Sequence, residues 1–321
     1  MSRAEDNLRV VAFGGGTGLP VLLRGLRDSV SDLVAVVTVA DDGGSSGRLR
    51  QELGVAPPGD VRNCLVALAG RRRLAEVFNY RFEAGEELRD HAVGNIIIAA
   101  LADMAGSFEE GVDQAARFLR VKGRVYPAAT ESLTLVVRYA DGTLTRGESV
   151  VHETLKQVER VSVEPEGTPA PEAVISAISG ADLVVLSPGS LFTSTVPALL
   201  GGGVKEALAR FSGPVVYVAN VMTQPGETGG FSVSDHVEAI SAHVGPVVTD
   251  VLVHSGELPK DLIARYRVED AAPTVVDREA LAALGVRLHE ADVLSDKGEV
   301  GVRHDPEKLA REVLKAALVR R

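Results

Sequence analysis

The stretch that decides the fold is Val10-Val11-Ala12-Phe13-Gly14-Gly15-Gly16-Thr17-Gly18-Leu19-Pro20. Four apolar residues that run directly into glycines are typical of a buried parallel strand, which ends at the carboxyl edge of its sheet. Pro20 suits the first turn of the following helix, where a missing N–H has no consequence. Glycines in such a turn let backbone N–H groups approach a ligand, and the helix N-terminus favours an anion. We therefore expect a phosphate site formed by Gly14, Gly15, Gly16, Thr17 and Gly18.

The composition sets limits on the class of protein. The chain has 321 residues, of which 45% are hydrophobic, and a formal net charge of −10. An acidic chain offers little to nucleic acid or to an anionic membrane surface, so we expect neither as a partner. The single cysteine, Cys64, suits a reducing compartment. No apolar run approaches the ~20 residues of a membrane span. We expect a cytoplasmic protein without membrane insertion.

A second apolar run, 33–39, completes a strand–helix–strand unit and ends in a polar loop, Ala40-Asp41-Asp42-Gly43-Gly44-Ser45-Ser46-Gly47-Arg48. Parallel strands share a carboxyl edge, so this loop leaves the sheet beside the glycine turn. Asp41 or Asp42 would bind Mg²⁺, and Ser45 would contact phosphate oxygens. The alternative is a solvated loop without a ligand.

The next motif, Pro57-Pro58-Gly59-Asp60-Val61-Arg62-Asn63, precedes an apolar helix face. Asp60 is a natural N-cap, which would leave Arg62 and Asn63 in the first turn to contact an anion or a ribose. A capped helix with an exposed arginine explains the same pattern. Asn95, before the apolar run 96–101, either caps a helix or turns its amide into the cleft.

The second half of the chain repeats the alternation of strands and polar loops. The strand 182–186 leads into Ser187-Pro188-Gly189-Ser190-Leu191-Phe192-Thr193, and the strand 214–219 leads into Asn220-Val221-Met222-Thr223-Gln224-Pro225-Gly226-Glu227-Thr228. Serine-rich turns before helices supply N–H and hydroxyl donors to phosphate. The candidate ligand contacts from these loops are Ser187, Gly189, Ser190, Thr193, Asn220, Thr223 and Gln224. Neither a serine-hydrolase elbow nor a zinc motif is present in the sequence.

These patterns predict an α/β fold with a doubly wound, mostly parallel, Rossmann-like sheet. Asp141-Gly142, between the β-rich runs 133–138 and 143–146, predicts a hairpin. Because parallel sheets rarely contain hairpins, we expect residues 72–165 to form an inserted helical and β subdomain or lid. The whole chain, 1–321, would otherwise be one nucleotide-binding α/β domain.

Taken in order, the loops quoted above, together with Ser234-Asp235-His236 and Val302-Arg303-His304-Asp305, resemble the YvcK-type gluconeogenesis factors. These factors belong to the larger superfamily of 2-phospho-L-lactate transferases, which are called CofD-like. The resemblance covers nearly the whole chain, and the combination of motifs is specific although no single motif is.

The resemblance implies a regulatory protein that binds UDP-sugars such as UDP-N-acetylglucosamine. Gluconeogenesis factors are needed for cell shape and envelope synthesis on gluconeogenic carbon sources. By this resemblance, Tyr266 and Arg303 match the family's UDP-sugar contacts, and Asn220 and Asp235 would line the nucleoside or sugar end. A cell-envelope synthesis protein or a regulatory protein would be the partner, and a homodimer is compatible with the sequence.

Two other functions stay open at this point. In a CofD-like transferase, Mg²⁺ at Asp41 and Asp42 would assist transfer of a phospholactyl or phosphoenolpyruvyl group from a guanylylated donor to a deazaflavin, and both aspartates would be catalytic. A NAD-dependent oxidoreductase is less favoured, because Gly-x-Gly-x-Gly is not the dinucleotide spacing. Whether the protein is an enzyme is therefore left open.

Overall fold

The computed structural model describes residues 7–85, 88–151, 154, 156–295 and 301–318. A seven-stranded sheet, in the order β10-β9-β8-β7-β1-β2-β3, forms its centre. The sheet strands are β1 (Arg9–Gly14), β2 (Asp32–Val37), β3 (Arg124–Pro127), β7 (Leu183–Leu186), β8 (Val215–Val218), β9 (Asp250–His254) and β10 (Arg287–Ala291). All neighbouring strands of this sheet run parallel.

Helices connect the strands and cover the sheet. Those in the first part of the chain are α1 (Gly18–Leu26), α2 (Gly44–Leu53), α3 (Gly59–Leu68), α4 (Arg72–Asn79), α5 (Val93–Ala105) and α6 (Phe108–Leu119). Those in the second part are α7 (Glu172–Gly180), α8 (Val204–Arg210), α9 (Val233–Val244), α10 (Lys260–Val268), α11 (Arg278–Ala283) and α12 (Pro306–Leu318). Across the ranges described, no helix is both long enough and apolar enough to cross a membrane.

Strand β1 lies at the centre of the winding. It pairs with β2 on one side and with β7 on the other. The chain proceeds outward from β1 to β2 and β3, and later from β7 to β8, β9 and β10, so the direction of winding reverses between β1 and β7. This reversal confirms the predicted doubly wound, Rossmann-like fold. In such folds the crevice at the switch point, outside the carboxyl ends of the strands, is where ligands bind.

A separate antiparallel sheet contains β4 (Thr134–Tyr139), β5 (Leu144–Arg146) and β6 (Val158–Glu164). The turn at Asp141-Gly142 joins β4 to β5, which confirms the predicted hairpin. Strand β3 also falls within the segment 72–165, yet it pairs with β2 in the main sheet. The segment therefore contributes to both sheets.

Residues 274–276 form no strand of either sheet. Val275 forms only an isolated bridge with Ser232.

The core is built from the aliphatic strands and from the leucine face of α1, whose leucines at 19, 22, 23 and 26 are buried. Helix α12 packs on α1 so closely that Gly25 has no room for a side chain. A Cβ atom at Gly25 would lie 1.9 Å from the carbonyl oxygen of Pro306. Gly180, the last residue of α7, differs in this respect, because the nearest atom to its Cβ position is 3.7 Å away.

This contrast gives a prediction for stability. Gly25→Ala forces α1 and α12 apart, and we expect it to reduce the free energy of unfolding by about 1–3 kcal/mol. The matched Gly180→Ala change should alter it by less than about 1 kcal/mol, because the new methyl group has space. Urea unfolding of both variants measures the difference, and equal midpoints would contradict the packing argument.

Candidate functional site

An open cleft of about 260 Å³ lies at the switch point between β1 and β7. Its lining comes from the loops that follow β1, β7 and β8, from α10 and from residues 302–304. The predicted site residues that line the cleft are Thr17, Gly18, Gly189, Asn220, Thr223, Gln224, Tyr266 and Arg303. The structure thus brings together residues that are widely separated in the chain.

The N-terminus of α1 faces this cleft through Thr17 and Gly18. In the part of the chain that the structure describes, no side chain caps this helix. Its first N–H groups therefore give the cleft a partial positive charge that favours an anion. Gly18 is required here, since a Cβ atom would lie 1.7 Å from the carbonyl oxygen of Pro188.

Tyr266 and Arg303 also line the cleft. The backbone N–H of Val302 donates a hydrogen bond of 3.1 Å to the Tyr266 hydroxyl, which ties α10 to the segment that carries Arg303. A phenol and an arginine thus line the same cleft as the α1 N-terminus. A guanidinium group suits phosphate, and a half-exposed aromatic ring suits a flat or partly apolar ligand.

Asn220 and Thr223 shape the cleft from the loop after β8. Asn220 accepts a hydrogen bond from Gly189 N–H at 3.0 Å and donates one to the Gly189 carbonyl oxygen at 2.6 Å. The Thr223 hydroxyl accepts a hydrogen bond from Ala272 N–H at 3.0 Å. Both side chains therefore hold neighbouring backbone in place, which makes this wall rigid.

The glycine turn has an internal partner that the sequence did not reveal. The Asp60 carboxylate accepts a hydrogen bond of 2.6 Å from the N–H of Gly16. The predicted N-cap role of Asp60 was wrong, because α3 begins at Gly59 with Pro58 in the cap position. A Cβ atom at Gly15 would lie 2.6 Å from the same carboxylate, so glycine is needed for this contact.

Acidic side chains gather beside the glycine turn. Burial, together with the negative charges of Asp41 and Asp60, raises the pKa of Glu148 to about 8, and its carboxyl group is within hydrogen-bonding reach of Asp41 and Thr193. Asp42 accepts a hydrogen bond from Ser149 N–H at 2.9 Å. The described residues contain no group of three or more acidic, histidine or cysteine side chains with the geometry of a metal site.

Ser190 and Thr193 form a compact network with Glu227. Of these three residues, only Glu227 was not predicted from the sequence. The Ser190 hydroxyl contacts both Glu227 carboxylate oxygens, at 2.8 and 2.6 Å, and accepts a hydrogen bond from the Thr193 hydroxyl at 2.7 Å. Glu227 is only 2% exposed. The only sequence signal was an acidic residue inside a glycine-bearing loop. Ser187 lies under Gly14, and in the described structure its buried hydroxyl has no hydrogen-bond partner.

The remaining predicted residues lie away from the cleft. Arg62 donates to Asn95 Oδ1 at 3.2 Å and to Asn63 Oδ1 at 2.6 Å, and Asn95 donates to the Ser45 hydroxyl at 3.1 Å. This network joins α2, α3 and α5.

Asp235 is part of the capping box of α9, where it accepts hydrogen bonds from the backbone N–H and the hydroxyl of Ser232 at 2.7 and 2.9 Å. It is not among the cleft-lining residues.

The fold and the cleft define a Rossmann-like α/β protein with a ligand site at its topological switch point. The family profile described as 2-phospho-L-lactate transferase CofD matches residues 10–294. A putative gluconeogenesis factor of Nostoc sp. is 45% identical over 310 residues, which are 96% of this chain and 68% of that protein. The gluconeogenesis factor of Bacillus subtilis is 43% identical, with 94% and 96% of the two chains covered.

A crystal structure of a Bacillus halodurans protein superposes with a TM-score of 0.93 at 43% identity, and covers 96% of this chain and 100% of that one. The chain belongs to the gluconeogenesis factor family, within the wider CofD family. The predicted resemblance is thereby confirmed.

The position of Asp60 gives a pH-dependent prediction. Burial raises the pKa of Asp60 to about 6 from 3.8, although the Gly16 hydrogen bond opposes the shift. A raised carboxyl pKa means that the folded protein disfavours the ionised form, so Asp60 destabilises the fold as the pH rises from about 4 to about 6. Asp60→Asn keeps an acceptor for Gly16 but cannot ionise.

We therefore compare the free energies of unfolding of the unmodified protein and of Asp60→Asn. The value for the unmodified protein minus that for the variant should fall by up to about 3 kcal/mol between pH 4 and pH 7. Denaturant unfolding at several pH values measures this difference. Asp103→Asn, at an exposed position on α5, is the control and should show little pH-dependent difference. A flat difference for Asp60→Asn would contradict the assignment.

Proposed function

We propose that this protein is a cytoplasmic, nucleotide-sugar-binding regulator, with a ligand of the UDP-N-acetylglucosamine type in the switch-point cleft. The observation that carries the proposal is that the α1 N-terminus, which has no side-chain cap among the described residues, shares one cleft with Tyr266 and Arg303. Membership of the gluconeogenesis factor family supports it. The proposed role is control of cell shape and envelope synthesis on gluconeogenic carbon sources, exerted through a protein partner.

Each part of a UDP-sugar has a suitable counterpart in the cleft. The diphosphate would lie between the α1 N-terminus and the Arg303 guanidinium, where a helix end and a cation both favour negative charge. The Tyr266 ring would pack against the uracil base or the sugar. The N–H of Gly16 already donates to Asp60, so Thr17 and Gly18 are the better phosphate contacts in the glycine turn.

Binding measurements on Arg303 test this proposal. Arg303→Ala removes a charge-assisted contact to a phosphate, so we expect UDP-N-acetylglucosamine to bind about 10- to 100-fold more weakly. Arg267→Ala is the matched control, because Arg267 is an exposed arginine next to Tyr266 and does not line the cleft. Isothermal titration calorimetry measures both. Equal affinities for the two variants would remove Arg303 from the site.

A panel of nucleotides tests the ligand class. UDP-N-acetylglucosamine, UDP-glucose, UDP, GDP, GTP and NAD are compared by thermal unfolding, each with and without Mg²⁺. Stabilisation should follow the UDP-sugars, and a ligand at a hundredfold excess over its dissociation constant contributes ~2.7 kcal/mol. If guanine nucleotides with Mg²⁺ stabilise the protein and UDP-sugars do not, the result favours a transferase instead.

The carboxyl groups beside the glycine turn favour that transferase as a second candidate. Mg²⁺ binds proteins through one or two carboxylates and retains several waters, and Asp41 with Glu148 offers such a pair. The bound metal would stabilise charge on a diphosphate. Among the chain's own residues, Asp42 holds the 147–149 loop over this edge through Ser149.

Release of GMP tests this second function. Purified protein is mixed with Mg²⁺, a guanylylated phospholactate donor and a deazaflavin acceptor, and GMP is quantified by chromatography. A transferase should release GMP, and Asp41→Asn should reduce the rate at least tenfold because it removes a metal-binding carboxylate. Absence of GMP release would exclude this reaction and leave the binding function intact.

A further inference from the structure

A second polar cluster is connected to Asp60 through Arg62, two residues further along α3. We call it the basic cluster, and it contains Ser45, Arg48, Arg62, Arg81, His91 and Asn95. It is separate from the residues that line the cleft. In a chain with a net charge of −10, three arginines at one place require an explanation.

Arg62 is the buried member of the cluster. It is 5% exposed, and in the described part of the chain its guanidinium forms no ion pair and its Nε has no hydrogen-bond partner. Its terminal nitrogens donate only to the amide oxygens of Asn95 and Asn63. Burial and the neighbouring Arg81 lower the pKa of Arg62 to about 10, whereas Asp60 opposes this shift. Among the described residues, Arg62 is thus a buried cation whose hydrogen-bond partners are neutral, and the nearby Asp60 forms no salt bridge with it.

Three helix N-termini converge on the same place. Ser45 is in the first turn of α2, Arg62 in that of α3 and Asn95 in that of α5, and hydrogen bonds link the three side chains. Among the described residues, their cap residues Gly43, Pro58 and Ala92 provide no side-chain cap, although the Ser46 hydroxyl accepts a hydrogen bond of 3.1 Å from the first N–H of α3, that of Gly59. Each N-terminus adds partial positive charge to that of the arginines.

Arg48 and Arg81 lie nearer to the surface, on either side of His91. Arg48 donates to the Arg89 carbonyl oxygen at 2.7 Å, and Arg81 donates to the Asp90 carbonyl oxygen at 2.6 Å. Neither forms an ion pair within the described ranges. Burial lowers the pKa of His91, and the positive charges of Arg48 and Arg81 lower it further. The negative charges of Glu52 and Asp90 oppose this shift. Within the described ranges, each of these two hydrogen bonds uses one terminal guanidinium nitrogen.

We propose that the basic cluster is a second anion site, which binds the phosphate group of a small phosphate monoester while the cleft holds the nucleotide. The cluster combines the buried Arg62, whose Nε has no hydrogen-bond partner among the described residues, with two arginines nearer the surface, and guanidinium groups bind phosphate through several donors at once. The site adjoins the carboxyl groups of Asp41 and Asp60, so the bound ester lies next to the centre of the carboxyl edge. The proposal does not depend on the identity of the nucleotide.

Inorganic phosphate is the probe for this site. Its affinity is measured by calorimetry at constant ionic strength for the full chain and for Arg81→Gln, Arg48→Gln and Arg62→Met. We expect saturable binding that becomes roughly tenfold weaker in each variant, because each loses a charged donor. Arg73→Gln, which removes the same charge from an exposed position on α4, is the matched control and should bind phosphate normally.

Two further measurements separate this site from the cleft. Arg303→Ala should retain phosphate affinity, and saturating UDP-N-acetylglucosamine should leave it unchanged. If Arg62→Met does not fold, Arg81→Gln and Arg48→Gln decide the matter, since both side chains lie near the surface. Absence of saturable binding, equal loss in Arg73→Gln, or displacement of phosphate by the nucleotide sugar would each overturn the proposal.

Discussion

The contact between Gly18 and the carbonyl oxygen of Pro188 is the constraint on which the site depends. The loops after β1 and β7 meet there backbone to backbone, and a side chain at Gly18 would occupy the same space as the carbonyl group. Because the two loops come this close, the α1 N-terminus opens into the cleft. Asn220 then fixes Gly189 in the second loop through two hydrogen bonds. The backbone of the two loops therefore forms the base of the cleft, and side chains of several chemical types surround it.

At the carboxyl edge of the main sheet, acidic side chains and basic side chains occupy separate regions, and Asp60 lies between them. Asp60 binds Gly16, and the acidic side chains Asp41 and Glu148 lie near it. Arg62, two residues further along α3, begins a region of positive charge. Among the described residues, these acidic groups and Arg62 form no direct ion pairs with one another. Such nearby opposite charges are expected at sites that bind charged ligands. The acidic and basic regions thus have complementary preferences, for cations and anions respectively.

The strands and the glycine turn were predictable because their signals are local. Val10 to Phe13 and the glycines after them carry the pattern of a buried strand and its turn in adjacent positions. Asp60 was placed in the right loop but given the wrong role, since its partner Gly16 is 44 positions away. Strand β3 is four residues long and contains a proline, which left no alternating pattern. Glu148 and Glu227 act through long-range contacts, for which a single sequence gives no signal. Tyr266 and Arg303 were found only through family resemblance.

The cleft brings together segments that lie far apart in the sequence. Thr17 and Gly18 lie in one part of its lining, and the hydrogen bond from Val302 to Tyr266 holds another part. Chains fold from the N-terminus during synthesis, and contacts between distant segments form late. The glycine turn is synthesised early, whereas Tyr266 and residues 302–304 join the lining of the cleft only after most of the sheet strands have been made. A product truncated between β10 and residue 302 would therefore lack part of the cleft, even though it contains all seven strands of the main sheet.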